Sequence, residues 1–510
     1  MLNNRLAYFF LLLLAIPLVG WPVLHLNPVD INSDVFQYLS IANYYLYADH
    51  PHIRDAFTVG PVIPILLFSL KYVALHLTSW NPQLDITLVC LLTYLCHSTI
   101  VLSLLFICRR LALPSSVGFF LGAVFLFFLP WDSEALSPNG ELVSSTFICL
   151  ALVSYFGAKE FSWVRLLSIG LFLLAAFFTK IQSLPILLLC LYCFVMPAQS
   201  KWRLIFLCVI LGSTIEAILF YNEGGVLFHL QGLTQYTSGR TSNIYGYLKQ
   251  IPSRLAWVIN GPVQLFPMLL WIVLSQVFLR VTQRSGNTIS SFRFSTFWLW
   301  YGVCLFTAFM PNNFFPHYFL FFIPCIVLFS ASIASSISAN SIQTLFSKPY
   351  CITLIIAAII LACLKVAQIS PINKSLLNSQ SWYKPFVLSE QTNKVRPLLK
   401  SGGNDFYVHG WDYRYYAYLN QGFPSEHHLH RVQIKAQSPE LYLSELLKSP
   451  PKYILDVVEH SGFIRGAEWR LDQKPVWAKT IASCYTAIFD EGGLRLYERK
   501  NPLPQNCQTQ

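Results

Sequence analysis

A chain of 510 residues that is 55% hydrophobic and only 12% charged lies far from the roughly 25% charged residues of a soluble domain, and with a mean hydropathy of +0.50 it reads as a polytopic membrane protein. The net charge of +11 does not call for nucleic acid, because many basic residues stand in short loops beside apolar stretches, where membrane topology and anionic headgroups account for them. Ionisable residues are sparse over 1–368 and ordinary over 369–510, which divides the chain into a membrane module and a soluble module.

Leu6 to Val19 has the look of a signal-peptide core but runs into Trp21-Pro22 without a small-x-small cleavage site. It is read as an uncleaved first span that starts in the cytoplasm behind Arg5. The next strong basic pair, Arg109-Arg110, is assigned to the cytoplasm as well, and two points on one side are joined by an even number of crossings. Of the apolar runs between them, "GPVIPILLFSLKYVALHL" at 60–77 is the one that does not cross. Lys71 and His76 interrupt it, and it is shorter than the roughly 20 apolar residues a span needs, so a juxtamembrane helix on the outer surface is expected there. The second span is then Ile86 to Cys108. Further spans are expected near 115–130, 141–158, 163–178, 182–197, 203–221, 256–279, 295–310, 317–337 and 350–368, about eleven in all, with a candidate re-entrant break at Lys180. The basic loops fall inside and the C-terminal module outside.

Most of the 13 cysteines lie in apolar segments, where a thiol behaves as a small hydrophobe, and none forms a CxxC or zinc-ligand spacing. Only Cys484 and Cys507 are candidates for a disulfide. In the soluble module "DFYVHGW" and "PKYILDVV" read as strands and "SPELYLSELLK" as a helix started by Ser438 and Pro439, so an α/β fold is expected.

The chemistry-bearing residues collect on the outer side. In "DINSDVFQYLSIANYY" Asn32 or Ser33 is positioned to cap a helix whose Asp34, Tyr38, Ile41 and Tyr45 share one face. The helix dipole favours ionised Asp34 in its first turn, which makes it a proton acceptor; the plain alternative is that Asp34 only helps cap the helix. Asp55 follows in "HPHIRDAF", Glu134 and Glu141 in the next outer loop, Lys180 at the break, and His317-Tyr318 at the start of a late span. Carboxylates and cations at one interface suit a hydroxyl nucleophile and a phosphate respectively, although Lys180 alone is equally a snorkelling lysine and His317 an interfacial anchor.

In their order these motifs resemble the GT-C superfamily of integral-membrane glycosyltransferases, in the bacterial branch related to dolichyl-phosphate-mannose protein mannosyltransferases (glycosyltransferase family 39) and to the aminoarabinose transferase of lipid A. Asp34, Tyr38 and Ala42 match the family's first-loop Asp with a Tyr and an Ala at one-turn steps. "PHIRDAFTVGP" supplies Asp55, Gly60 and Pro61; "SPNGELV" supplies Glu141; "FFTKIQSLPILL" supplies Lys180; "FFPHYFLFFIP" supplies His317, Tyr318 and Pro324; and "VHGWDYRYYAYLNQGFPSEH" is similar to the small outer domain of many bacterial members. Two departures stand out. Val35 replaces the acidic neighbour of the first-loop Asp, and Asn312-Asn313 stand where many relatives carry an arginine before the His, which leaves the phosphate to Lys180, His317, Tyr318 and Arg240.

The resemblance implies a mainly α membrane protein with a small outer α/β domain, seated in the bacterial inner membrane. Its implied activity is inverting transfer of a sugar from a polyprenyl-monophosphate carrier to a hydroxyl of a lipid, glycan or protein acceptor. In that scheme Asp34 is the base, Asp55, Glu141 and Tyr38 serve the acceptor or a second acidic site, and Lys180, His317, Tyr318 and Arg240 serve the donor phosphate. No cofactor is demanded; a divalent metal at Asp34 and Asp55 stays open, as does one at the histidines of "EHHLHR". Absence of a Gly-rich phosphate loop agrees with a lipid-linked donor. The rival reading is a multispan flippase or exporter of a lipid-linked envelope precursor, against which stand the lack of internal repeats and the gathering of polar residues at one surface.

Overall fold

The structure, a computed structural model, describes residues 31, 33–48, 60–110, 137–157, 162–194, 196–219, 297–309, 316–336, 389–400, 402–410, 412–422, 450–460, 469–473, 475–504 and 507. The chain divides into two compact units. One comprises Met1–Leu26, Cys90–Glu216 and Arg240–Lys384; the other comprises Asn27–Val89, Ala217–Gly239 and Pro385–Gln510. The unit that holds the C-terminal module thus also takes in Asn27–Val89, on the N-terminal side of the expected boundary at 368.

In chain order the helices are α1 (Ser33–Tyr47), α2 (Val62–Leu77) and α3 (Pro82–Arg110); α4 (Gly140–Phe156), α5 (Trp163–Thr179), α6 (Leu184–Cys193) and α7 (Ala198–Leu219); and α8 (Phe297–Phe309) and α9 (Ile323–Ser336). Gly60 precedes α2 at φ 84°, a left-handed turn that its missing Cβ allows, and Pro61 follows it into the helix. The expected juxtamembrane helix at 60–77 is thus helical. Among the described residues α3, with 29 residues, is the one helix long and apolar enough to cross a membrane. The expected spans at 6–19, 115–130, 256–279 and 350–368 lie outside the described residues.

One expected span differs in kind. The stretch 182–197 is a 3₁₀ turn, Ile181–Ser183, followed by α6 of ten residues, which rises about 15 Å against the roughly 30 Å of a hydrocarbon core. Pro185 forces a helix start at its N-terminus, and Pro197, which disfavours helix in the residue before it, follows its C-terminus. The break read at Lys180 therefore shortens this segment to a half-helix.

In the first unit the outward faces are apolar. Leu91, Leu95 and Leu102 on α3, Val164, Leu167 and Leu171 on α5, Leu184, Leu188 and Tyr192 on α6, and Trp202, Phe206 and Val209 on α7 are exposed at helical steps. A soluble helix carries charge on that face.

The C-terminal module begins with α10 (Glu390–Val395), capped by Ser389, whose hydroxyl accepts from the Thr392 amide. Then come β1 (Phe406–His409), α11 (Arg414–Tyr418), β2 (Tyr453–Asp456), α12 (Pro475–Cys484), β3 (Tyr485–Glu491) and β4 (Leu494–Arg499). The sheet order is β1-β2-β4-β3, with β1 and β2 parallel and the other pairs antiparallel. Of the two edge strands, β1, which pairs in parallel, is buried along its whole length, while β3 exposes most of its residues. Tyr407, Ile454, Trp477, Ile481 and Tyr497 form the core together with the disulfide between Cys484 and Cys507. The bond closes a separation of 23 residues, for which chain entropy gives about 3 kcal/mol. Replacing both cysteines by serine is expected to lower the module's stability by that amount in denaturant unfolding, and reductant is expected to do the same to the wild type.

A second stabilising group is exposed to pH. Partial burial opposes ionisation of Asp472, but hydrogen bonds from Arg495, Arg470 and Gln473 outweigh it and hold the carboxyl below its ordinary value of 3.8. A carboxyl depressed in the folded state stabilises at pH above its unfolded value and loses that contribution as pH falls through the folded value. Below about pH 4 the wild-type unfolding midpoint is therefore expected to fall more steeply than that of Asp472→Asn, a difference thermal melts at stepped pH would register.

Candidate functional site

The nominated residues occur in two groups, one in each unit. In the second unit Asp34 occupies the first turn of α1. Residues 35–44 are all buried, and Asp34 is the one position of 34–44 that retains partial exposure. Such all-round burial is the mark of a core helix; its inner polar groups are bonded, as where Ser40 Oγ donates to the Gln37 carbonyl at 2.7 Å. The carboxylate thus stands where a core helix emerges, with the dipole's positive end behind it. Tyr38 and Ala42, one and two turns on, are 1% and 0% exposed, so Tyr38 lies in the core and not on an open face. Ser33 is the first helical residue. Asn32, the other expected cap, and Asp55 and Arg240 lie outside the described residues.

The first unit brings four nominated residues together. Asn139 caps α4, its side chain accepting from the Leu142 amide at 2.9 Å, which fixes Glu141 in the first turn, 1% exposed. α5 ends at Thr179, and Lys180 turns to extended backbone at φ −154° and ψ 107°. From there Lys180 Nζ lies 3.1 Å from Glu141 Oε1 and 5.9 Å from the ring centre of Tyr318, a cation–π distance. His317 packs edge-on against Tyr318 at 4.7 Å between ring centres. His317 and Tyr318 are both buried.

His317 and Tyr318 sit in a 3₁₀ run, Pro316–Phe322, that leads into α9. Seven residues is long for a 3₁₀ helix, whose hydrogen bonds are poorer than those of an α-helix. Neighbouring side chains support it: Ser145 Oγ donates to the Leu320 carbonyl at 2.9 Å and the Cys304 thiol to the Phe321 carbonyl at 3.6 Å. The end of α5 is treated alike, with Ser144 Oγ at 3.1 Å and Ser183 Oγ at 3.2 Å both donating to the Ala176 carbonyl. In an apolar environment a helix break persists only where such groups are satisfied internally. The adjacent Ser144 and Ser145 of α4 therefore tie both breaks to the helix that carries Glu141.

Sequence reasoning missed these two serines. Their signal was there: a run of hydroxyl residues, Ser144, Ser145 and Thr146, begins one turn beyond Glu141 in a mostly apolar helix. It also assigned Glu141 to the acceptor and Lys180 to the donor phosphate, without foreseeing that the two make an ion pair. The pairing leaves the cluster's cation partly neutralised by a resident carboxylate. Among the described residues no three His, Cys, Asp or Glu side chains converge on a metal site, and "EHHLHR" lies outside them.

No protein-family model and no curated protein matches the chain. Among solved structures it is similar to the oligosaccharyltransferase AglB from the archaeon Archaeoglobus fulgidus, in complex with an inhibitory peptide and a dolichol-phosphate, at 11% identity and a TM-score of 0.47, over 98% of this chain and 75% of that one. At that identity and score the likeness fixes neither fold nor activity.

Proposed function

We propose that this chain is an integral-membrane glycosyltransferase that moves a sugar from a polyprenyl-monophosphate carrier to a hydroxyl of a cell-envelope lipid, glycan or protein, at the outer face of the membrane. The observation that carries the reading is the meeting of Glu141, Lys180, His317 and Tyr318 in one cluster. They come from three motifs far apart in sequence, "SPNGELV", "FFTKIQSLPILL" and "FFPHYFLFFIP". The apolar outward faces of α3, α5, α6 and α7 suit lipid as their solvent. On α2 the buried Ile63, Leu67 and Lys71 are backed by exposed Ile65, Tyr72, Val73 and Leu77, a face fit to lie on the bilayer interface. The disulfide agrees with an oxidising, extracytoplasmic C-terminal module.

In this reading the Asp34 carboxylate removes the proton of the acceptor hydroxyl as its oxygen attacks the anomeric carbon. The bond from that carbon to the carrier phosphate breaks, the phosphate leaves with the electron pair, and configuration inverts. Lys180 and His317 offset the charge of the departing phosphate, with the Tyr318 ring edge-on to His317 and facing the Lys180 ammonium. Purified protein in lipid nanodiscs, given radiolabelled polyprenyl-phosphate sugars or nucleotide sugars with an envelope extract as acceptor, is expected to transfer label from the lipid-linked donors alone. Transfer from nucleotide sugars without carrier lipid would reject the donor class.

A further inference from the structure

The second unit holds a buried charge that the chemistry above does not use. Lys71, on α2, is wholly buried, as is Asp85 near the start of α3. An ammonium has three protons, and Lys71 places them on three partners: Asn43 Oδ1 of α1 at 2.6 Å, Asp85 at 2.8 Å and 3.0 Å to its two oxygens, and Asn420 Oδ1 at 3.0 Å. Each acceptor is held in turn. Tyr47 donates its hydroxyl to Asn420 Oδ1 at 2.8 Å, Trp80 Nε1 donates to Asp85 at 3.3 Å, and Asn43 Nδ2 donates to the Gln421 carbonyl at 3.0 Å. Asn420 and Gln421 follow α11 of the C-terminal module, 349 residues or more along the chain from Lys71. Asn420 is left-handed at φ 53°, as a residue ending a helix often is.

Two residues on, Gly422 lies so close to α1 that an added Cβ would stand 2.8 Å from the backbone nitrogen and Cα of Tyr44. The turn thus seats directly on the helix backbone, and hydrogen bonds on both sides of that contact fix its register. A fully desolvated ion pair adds little stability over an apolar pair of the same volume, so its best-attested use is to select one arrangement among several.

We infer that Lys71, Asn43 and the Asn420–Gly422 turn form a positioning device for Asp34. It clamps the C-terminal half of α1, and a rigid helix carries that constraint over the nine residues from Asn43 to Asp34, about 14 Å. The C-terminal module is then part of the mount of the carboxylate. The inference rests on the reading of Asp34 as the base, but the clamp itself is measurable without any substrate.

The decisive variant is the double replacement Lys71→Met/Asp85→Asn, which removes both charges while keeping volume. It is expected to fold with a near wild-type melting midpoint, to exchange the amides of residues 33–47 at least about tenfold faster, and to lower kcat about a hundredfold with the donor KM changed less than about threefold. Gly422→Ala reaches the same helix from the other side without touching the charges and is expected to give the same two effects. Unchanged exchange over 33–47 in both variants overturns the clamp. Faster exchange with unchanged kcat overturns its role in positioning Asp34. Faster exchange in a protein whose wild type transfers no sugar leaves the clamp standing and rejects the transferase reading.

Discussion

Replacing Asp34 by asparagine is expected to cut sugar transfer by about a hundred- to ten-thousand-fold, the usual contribution of a positioned general base. The asparagine keeps the shape and hydrogen-bonding reach of the carboxylate but cannot accept a proton. The loss is expected in kcat and in kcat/KM alike, because an interaction made only in the transition state leaves ground-state binding of the donor untouched. Asp34 retains partial exposure at a helix start, where its interaction with the helix dipole contributes about 1 kcal/mol or less. A cap with no part in chemistry gives the opposite pattern: a small loss of stability and full activity. Steady-state kinetics and a thermal melt on one preparation separate the two.

The second large effect is expected at Lys180. Glu141 is 1% exposed and Lys180 about 15%, so Lys180→Met strands a buried carboxylate. Removing one member of a buried pair typically costs about 3–5 kcal/mol, and the single variant is expected to express poorly or melt early. That result alone says nothing of phosphate. Adding Glu141→Gln removes the stranded charge and is expected to return most of the stability. If Lys180 meets the carrier phosphate, the double variant folds but shows a donor KM raised at least about tenfold. If the lysine serves only to neutralise Glu141, the double variant transfers sugar as well as the wild type does. The contrast is readable in a donor titration.

What the sequence revealed follows from how local its signals are. Helices α2, α4 and α5 and the helical core of α3 were legible because an apolar run bounded by Gly, Pro, Asn or basic residues is a short-range pattern, and in a membrane that pattern leaves the backbone little choice but helix. Strands β1 and β2 were legible from their aromatic and β-branched residues. The hairpin of β3 and β4 was overlooked although Gly492-Gly493 between two alternating stretches is a recognised turn signal.

The rest was carried by contacts between distant residues. In the sequence, Lys71 marks residues 60–77 as a run that does not cross the membrane. The same ammonium turns out to be the buried node between α1, α3 and a turn 349 residues away, which no window of sequence contains. Glu141 and Lys180 each stand out in the sequence for their own chemistry, and their meeting depends on two helix breaks tied by Ser144 and Ser145. The break at Lys180 was legible from its lysine and nearby proline; that it would reduce a span to the ten residues of α6 was not.

The most direct measurement is release of free polyprenyl phosphate from a radiolabelled polyprenyl-phosphate sugar, with acceptor extract present, by wild type and Asp34→Asn purified side by side. Acceptor-dependent release by the wild type, reduced at least about a hundredfold in the variant, is the expected result. Equal release by the two proteins would contradict Asp34 as the base, and no release by the wild type from any such donor would contradict the transferase itself.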